Sequence, residues 1–386
     1  MGLIKSQMKN ITYSKILNLF RQIVERFPTS HIILFILGCT SIIILFAVKR
    51  YCDIKFPFLS SGSPVFSDEN FVYHIAVFIS TFIILKGLFV FSENANSIKE
   101  TKRSYQREIS ILVILITLVV FLYLFFFYPS VLSLLVINKD NEEGPLEWIS
   151  FLFLIFGSVL FIMSFLKRGK GQNSFPIIRW TLISFALLLL IMAMEEISWG
   201  QNIFGWKTPS FFGNNYQNET NLHNFDAKGV DGWISTVYYL GYFLLLVLLP
   251  FLSITFSDIS DYSFLKFFIS KPYIIILGAI PCAFNGPFLN TTIFYRMFLF
   301  SSLSILIILV FAKRNDLLKG YYIITAILIV LIQSIFLFFG KTITEYGIQV
   351  SEYSELFSQY SLMLYAFDVF NKLKHSNTTN QNLILT

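Results

Sequence analysis

From His31 to Phe370 the chain is a succession of long apolar runs, each broken by a short polar or basic interval. Most runs exceed the ~18 residues that a helix needs to cross a bilayer. Polar and apolar residues do not alternate within them, as the strands of a membrane barrel would require. The pattern therefore predicts an all-α polytopic bundle of about ten transmembrane helices. The predicted spans are His31–Val48, Phe71–Phe91, Ile109–Phe127, Trp148–Leu166, Ile177–Met194, Trp233–Ile254, Tyr273–Leu289, Thr292–Ala312, Tyr321–Phe339 and Glu352–Phe370. Tyr273–Leu289 contains Pro281, Gly286 and Pro287, which predicts a broken or re-entrant helix, tolerable only where protein or a cavity surrounds it. Val131–Ile137, after Pro129, reads as a short interfacial continuation of the third span.

Composition agrees. The chain is 55% hydrophobic and 13% charged, about half the charged fraction of a soluble domain. Cys39, Cys52 and Cys282 form no CxxC pair, so neither a disulfide framework nor a zinc ribbon is indicated. The net charge of +6 does not mark a nucleic-acid protein. The basic residues gather instead in alternate loops, such as Lys167, Arg168 and Lys170, whereas Asp140, Glu142 and Glu143 lie in the intervening ones. With basic loops inside, both termini are expected in the cytoplasm. Residues 1–30 read as a cytoplasmic basic amphipathic segment carrying Lys5, Lys9, Lys15, Arg21 and Arg26. Residues 31–371 form one transmembrane domain with an outer motif loop at 195–232, and 372–386 form a cytoplasmic tail. Oligomeric state has no signature here.

Four polar segments are expected at the outer face. Glu143 and Glu147 enter the fourth span, and Glu195-Glu196-Ile197-Ser198-Trp199-Gly200-Gln201 leaves the fifth. Glu219-Thr220-Asn221-Leu222-His223-Asn224 follows in the long loop, and Glu352 and Glu355 open the last span. Arg296 adds a cation in the outer half of the eighth span. The Glu195-Glu196 pair follows directly on an eight-residue apolar run, 187–194. A carboxylate beside hydrocarbon costs several kcal/mol unless it is paired, protonated or metal-bound. Glu219 and His223, four apart, share a face of any helix there, a spacing that suits a divalent metal or a general base with its partner. The expected catalytic set is Glu195, Glu196, Glu219 and His223, with Glu196, Glu219 and His223 as the candidate ligands of a divalent metal. Arg296, Ser198, Gln201, Trp199 and Asn221 are the candidate substrate-binding residues. Glu143, Glu147, Glu352 and Glu355 support them, and Glu147, Glu195, Glu196, Glu219, His223 and Glu355 are expected to line one outward-facing cavity.

The block Glu195–Gln201, together with Glu219–Asn224 and Glu143–Trp148, resembles a group of bacterial multi-pass inner-membrane proteins without an assigned activity. The resemblance runs from the fourth span to the last. It implies a bacterial inner-membrane location in the cell envelope, and nothing about chemistry. From the residues, three classes compete. The first is an enzyme acting at the outer leaflet on a lipid-linked or envelope glycan or lipid substrate, by metal-assisted hydrolysis or transfer, with Arg296 on a phosphate. The second is an ion- or proton-coupled transporter, favoured by the broken seventh span. The third is a non-catalytic envelope assembly protein. One-sided clustering of the polar motifs ranks the enzyme first. No nucleotide fingerprint or nucleic-acid module is present.

Overall fold

In a computed structural model the described residues are 29–51, 68–88, 105–136, 144–167, 176–212, 220–222, 230–256, 264–284, 293–312, 318–339 and 347–384. Every regular element among them is helical. The helices are α1 (Thr29–Tyr51), α2 (Asp68–Leu88), α3 (Tyr105–Phe127), α4 (Pro129–Val136), α5 (Pro145–Lys167), α6 (Pro176–Glu196) and α7 (Gln201–Phe204). They continue as α8 (Val230–Phe243), a π turn (Leu244–Leu248), α9 (Leu249–Thr255), α10 (Leu265–Phe268), α11 (Tyr273–Phe284), α12 (Ile293–Phe311), α13 (Lys319–Phe338) and α14 (Gly347–Ile384). Among the described residues five stretches are long and apolar enough to cross a membrane: Gln106–Phe127, Pro145–Lys167, Pro176–Glu196, Thr236–Thr255 and Lys319–Phe336. Shorter apolar helices occupy Thr29–Leu45, Ile75–Leu88, Tyr273–Phe284 and Met297–Phe311.

The packing follows from which faces are apolar and which are small. Helix α14 lies against α5 and α11, α5 packs on α6, and α11 packs on α13. Helix α12 joins α13 to the α1–α2 pair through α2. All 12 residues of α11 are buried. At 1.5 Å per residue it is about 18 Å long, short for a span but shielded by protein throughout, a setting where interrupted backbone is tolerated at membrane depth. The proline-rich seventh segment is thus a short helix with Pro281 inside it, and residues 285–292 lie outside the described set. Helix α4 continues directly from α3 after Phe127. Leu132 and Val136 are buried, and it packs on α5 and α14.

Helix α14 reads poorly as a span because it faces other helices instead of lipid. Ser354, Ser358, Gln359, Ser361 and Asp368 are all buried along it. Serine hydroxyls there are satisfied by backbone, as when Ser361 donates to Leu277 O at 3.1 Å and Phe357 O at 2.8 Å. Near residue 368 the helix grips the segment before α11. The Asp368 carboxylate lies 2.9 Å from Lys372 Nζ and 3.6 Å from Lys271 Nζ, and it accepts from the Lys271 amide at 3.1 Å. Lys372 also donates to Ile269 O, and the Tyr365 hydroxyl donates to Phe268 O at 2.9 Å.

Helices α1 and α2 meet through glycines. A Cβ on Gly87 would lie 2.7 Å from Phe35 N and 2.9 Å from His31 O, and one on Gly38 would lie 2.8 Å from Ile84 N. Such small-residue contacts let backbones approach in a membrane, where no water drives association. Ser41 and Ser80 share a 2.5 Å hydrogen bond across the same seam. Gly87→Leu is therefore expected to destabilise the pair by about 1–3 kcal/mol, the usual cost of overpacking. Gly320→Ala, with nothing within 4 Å of the added carbon, is the matched control, expected to leave unfolding in micelles unchanged. Equal unfolding midpoints for the two variants would contradict the packing described.

Candidate functional site

At the end of α6 the chain turns through a left-handed stretch before α7 begins. Ser198, Trp199 and Gly200 have φ of 46°, 57° and 81°. For the two non-glycine residues this costs roughly 1–2 kcal/mol each. Hydrogen bonds hold it in place. Trp199 Nε1 donates to Glu195 Oε1 at 2.7 Å, and the Gly200 amide donates to Ile197 O at 2.7 Å. The turn thus folds the indole back over the helix end.

The second motif closes on the first. The Leu222 amide donates to Glu195 Oε2 at 2.5 Å, and Asn221 Nδ2 donates to Ser198 Oγ at 3.3 Å. Gln201 Oε1 accepts from both the amide and the hydroxyl of Thr220, each at 2.6 Å, while its Nε2 donates to Thr208 Oγ1 at 2.9 Å. Ser198, Gln201 and Asn221 are buried in this knot. The structure therefore brings Glu195, Ser198, Trp199, Gln201 and Asn221 together, hydrogen-bonded to one another, to Thr208 and Thr220 and to backbone. Their evident work is to fix residues 220–222 against the end of α6. Glu195→Ala is expected to release that segment. Loss of two hydrogen bonds to a carboxylate costs about 3–6 kcal/mol locally, at 1.5–3 kcal/mol for each bond to a charged group. The check is limited proteolysis, in which cleavage between 206 and 229 should accelerate at least tenfold. Unchanged cleavage would mean that Glu195 does not hold the loop.

Beside the knot lies a cavity of about 1040 Å³ between α6 and the α8–π–α9 rod, backed by α14. Its polar end is formed by Glu195, Glu196, Tyr238, Ser351, Glu355 and Gln359. The rest is mostly apolar, running past Met192, Leu188, Leu245 and Phe185 to Leu252, with Tyr239, Tyr242 and Tyr365 among its lining. Along the rod it extends from Ile234 to Leu252, about 27 Å at 1.5 Å per residue and close to the ~30 Å of bilayer hydrocarbon. Lining residues Ile191 and Val237 keep 49% and 64% of their surface exposed. The cavity is thus open sideways, on the face that lipid would cover.

Hydrogen bonds order the polar end. Gln359, 2% exposed, donates from Nε2 to Glu196 Oε1 at 2.7 Å. Because a carboxylate only accepts, this contact fixes the amide with its oxygen turned away, and that buried Oε1 has no hydrogen-bond partner among the described residues. Ser351 Oγ donates to Glu355 Oε1 at 3.3 Å. The Tyr238 hydroxyl meets Ser358 Oγ at 2.5 Å, and Ser358 donates onward to Glu355 O at 2.8 Å. Neighbouring residues on a helix point about 100° apart, which explains why Glu195 turns to the knot while Glu196 reaches α14.

The remaining expected residues lie elsewhere. Glu147 caps its own helix, with Oε2 accepting from the Gly144 amide at 3.0 Å, as the third residue of a capping box does. It is not among the described cavity-lining residues, nor is Glu352. Arg296 sits on α12, which supplies none of those lining residues, and its side chain is outside the described set. Glu143, Glu219 and His223 also lie outside it. Among the described residues no three His, Cys, Asp or Glu converge as a metal site, and of the expected metal trio only Glu196 is described. Sequence reasoning missed Gln359, Ser358 and Tyr238. The first two continue a polar stripe through Ser351, Ser354, Glu355, Ser358, Gln359 and Ser361 at helical spacing. That stripe was the available signal.

No family model, curated protein or solved structure matches the chain.

Proposed function

We propose that this chain is a bacterial inner-membrane enzyme of ten spans with cytoplasmic termini, hydrolysing or transferring a group on a lipid or lipid-linked substrate. One observation carries the reading: an apolar cavity, open towards lipid, ends in a cluster that includes Glu196 and Glu355. A lipid drawn in sideways would lay its chain along α6 and α8 and bring its head to those carboxylates. Glu196, steadied by Gln359, is the general base, and Glu355, with Ser351 and the Tyr238–Ser358 pair around it, faces the same head. Glu195 is a positioning residue that keeps the mouth in shape. In the metal-assisted form, Glu219 and His223 would join Glu196 around a divalent ion. Metal content of the wild type beside His223→Ala tests that form separately.

The test is conversion. Protein in nanodiscs is incubated with an envelope lipid extract, and products are followed by mass spectrometry with Glu196→Gln as the comparison. A species formed by wild type alone supports the reading. Identical lipid profiles for both proteins, with both folded, would remove it. The cavity's length favours a second reading, movement of the same lipid between leaflets, since the groove runs nearly the depth of the hydrocarbon. Translocation of labelled lipid in proteoliposomes without chemical change would place the chain there.

A further inference from the structure

The end of the cavity away from the carboxylates bears on the length of the chain it receives, an inference that rests on the reading of the cavity as a lipid site. The sideways opening does not run its whole length. Nearer the carboxylates, Leu188, Ile191, Val237 and Leu244 line the cavity and keep 51%, 49%, 64% and 43% of their surface exposed. Further along the rod, the lining residues Leu248, Leu249 and Leu252 are mostly covered. Leu189 of α6 and Leu362 of α14 are buried. A groove at the mouth thus becomes a pocket at depth.

Three rings close that pocket. Phe185 is the lining residue of α6 farthest from Glu196, Tyr365 is the lining residue of α14 farthest from Ser351, and Phe161 comes from α5. Each ring meets the other two. The centroids are 5.4 Å apart for Phe161 and Phe185, 6.4 Å for Phe185 and Tyr365, and 6.2 Å for Phe161 and Tyr365. A fourth ring braces them from behind, since Phe268 lies 5.8 Å from Phe185 and its carbonyl accepts from the Tyr365 hydroxyl at 2.9 Å. Phe161 and Tyr365 are buried, so half-buried Phe185 is the ring with surface left to present. Rings interlocked at van der Waals contact do not swing aside as a loose leucine end would, and forcing extra atoms among them is destabilising.

Two helices give the same depth for this floor. From Glu196 to Phe185 along α6, and from Glu355 to Tyr365 along α14, the climb is about 15–17 Å at 1.5 Å per residue. A staggered hydrocarbon chain advances about 1.25 Å per carbon, from ~1.5 Å bonds in a zigzag. About 13 carbons therefore reach from the carboxylates to the rings. The same distance is about half the ~30 Å of bilayer hydrocarbon, the depth at which the chains of one leaflet end. Length discrimination here comes from fit. A chain leaving lipid for an apolar cavity gains little for each methylene, because both surroundings are apolar. A chain too long for the pocket has to displace the rings or double back.

We propose that the cavity measures the chain of its lipid, and that Phe185, backed by Phe161 and Tyr365, is the specificity determinant that sets the limit. The class of substrate is then a lipid whose chains match one leaflet, in preference to a carrier with a much longer apolar part.

The experiment uses the full chain in phosphatidylcholine nanodiscs and 1-O-alkyl glycerols from decyl to eicosyl, in two-carbon steps and at equal mole fraction. Occupancy is read by native mass spectrometry for wild type, Phe185→Ala and Phe185→Trp. Wild type is expected to hold chains up to tetradecyl about equally and octadecyl about tenfold less, as overpacking at the floor requires. Phe185→Ala, which removes a ring about 4–5 Å deep, should move the limit outward by about two to four carbons, and Phe185→Trp should move it inward. General loosening would lower occupancy at every length and shift no limit. A tetradecyl probe with a diazirine at its last carbon should label peptides carrying Phe161, Phe185 or Tyr365 in wild type, a reading that needs no variant. Equal occupancy across the series, a limit unmoved in Phe185→Ala, or chain-end label elsewhere would overturn the ruler and spare the lipid cavity. Eicosyl held tightest would turn the substrate class towards long carriers. Failure of every probe to bind would overturn this inference and the lipid-substrate reading together.

Discussion

Replacing Asp368 with alanine is expected to cost about 1.5–3 kcal/mol of stability, the range for hydrogen bonds to a charged group, because the lysines it holds are themselves 26% and 43% exposed. The carboxylate has no exposed surface and holds Lys372 at 2.9 Å, Lys271 at 3.6 Å and the Lys271 amide at 3.1 Å. Removing it takes from Lys372 and Lys271 the partner they share at the seam between α14 and the segment leading into α11. Helix α11 is buried along its whole length, so a slack lead-in loosens the middle of the bundle. Asp368→Asn should do less harm, because an amide oxygen still accepts from the Lys271 backbone. A double replacement, Asp368→Leu with Lys372→Met, should recover part of the loss by removing both charges together. Thermal unfolding in micelles reads all three. If Asp368→Ala and Asp368→Asn melt with the wild type, the clamp contributes nothing and the ion pairs are incidental.

That clamp shows what hydropathy reports and what it omits. Mean apolarity measures contact with lipid, so α3, α5, α6, the α8–α9 rod and α13 stood out from their runs alone. Helix α14 is wrapped by other helices and carries buried serines, glutamines and an aspartate, most of them hydrogen-bonded to neighbours. Its position in the sequence was legible, but its central place was not. The end of α6 was readable for the opposite reason: two carboxylates directly after Leu187–Met194 demand an explanation wherever the helix lies. Their partners were not readable. Gln359 stands 163 residues beyond Glu196 and Leu222 stands 27 beyond Glu195, separations that no local pattern encodes. The expected topology put the polar loop motif at the same face as the Glu195 block, and Asn221 and Leu222 do hydrogen-bond to Ser198 and Glu195. Sequence could not tell that Gln201, Ser198 and Asn221 hydrogen-bond within the knot and are absent from the cavity's described lining.

The adjacent carboxylates are where structure and chemistry can be separated. Glu196→Gln is expected to lower turnover by about 10²–10⁴-fold, the contribution of a positioned general base, while leaving the fold intact. A glutamine at 196 still offers a side-chain oxygen to Gln359 Nε2, so the bond that ties α6 to α14 survives, and the lost property is the capacity to take a proton. Glu195→Ala should behave in the reverse sense, loosening residues 220–222 first and lowering activity only as the mouth of the cavity deforms. The measurement is the rate of product formation in nanodiscs beside the unfolding midpoint for each variant. A Glu196→Gln protein with an unchanged midpoint and near-zero rate assigns the proton transfer to that carboxylate. Equal loss of rate in both variants, each in step with lost stability, would mean that the pair is a structural unit and that the base lies elsewhere around the cavity. Glu355 would then be the next residue to replace, since it lines the same polar end and lies on the same helix that carries Gln359.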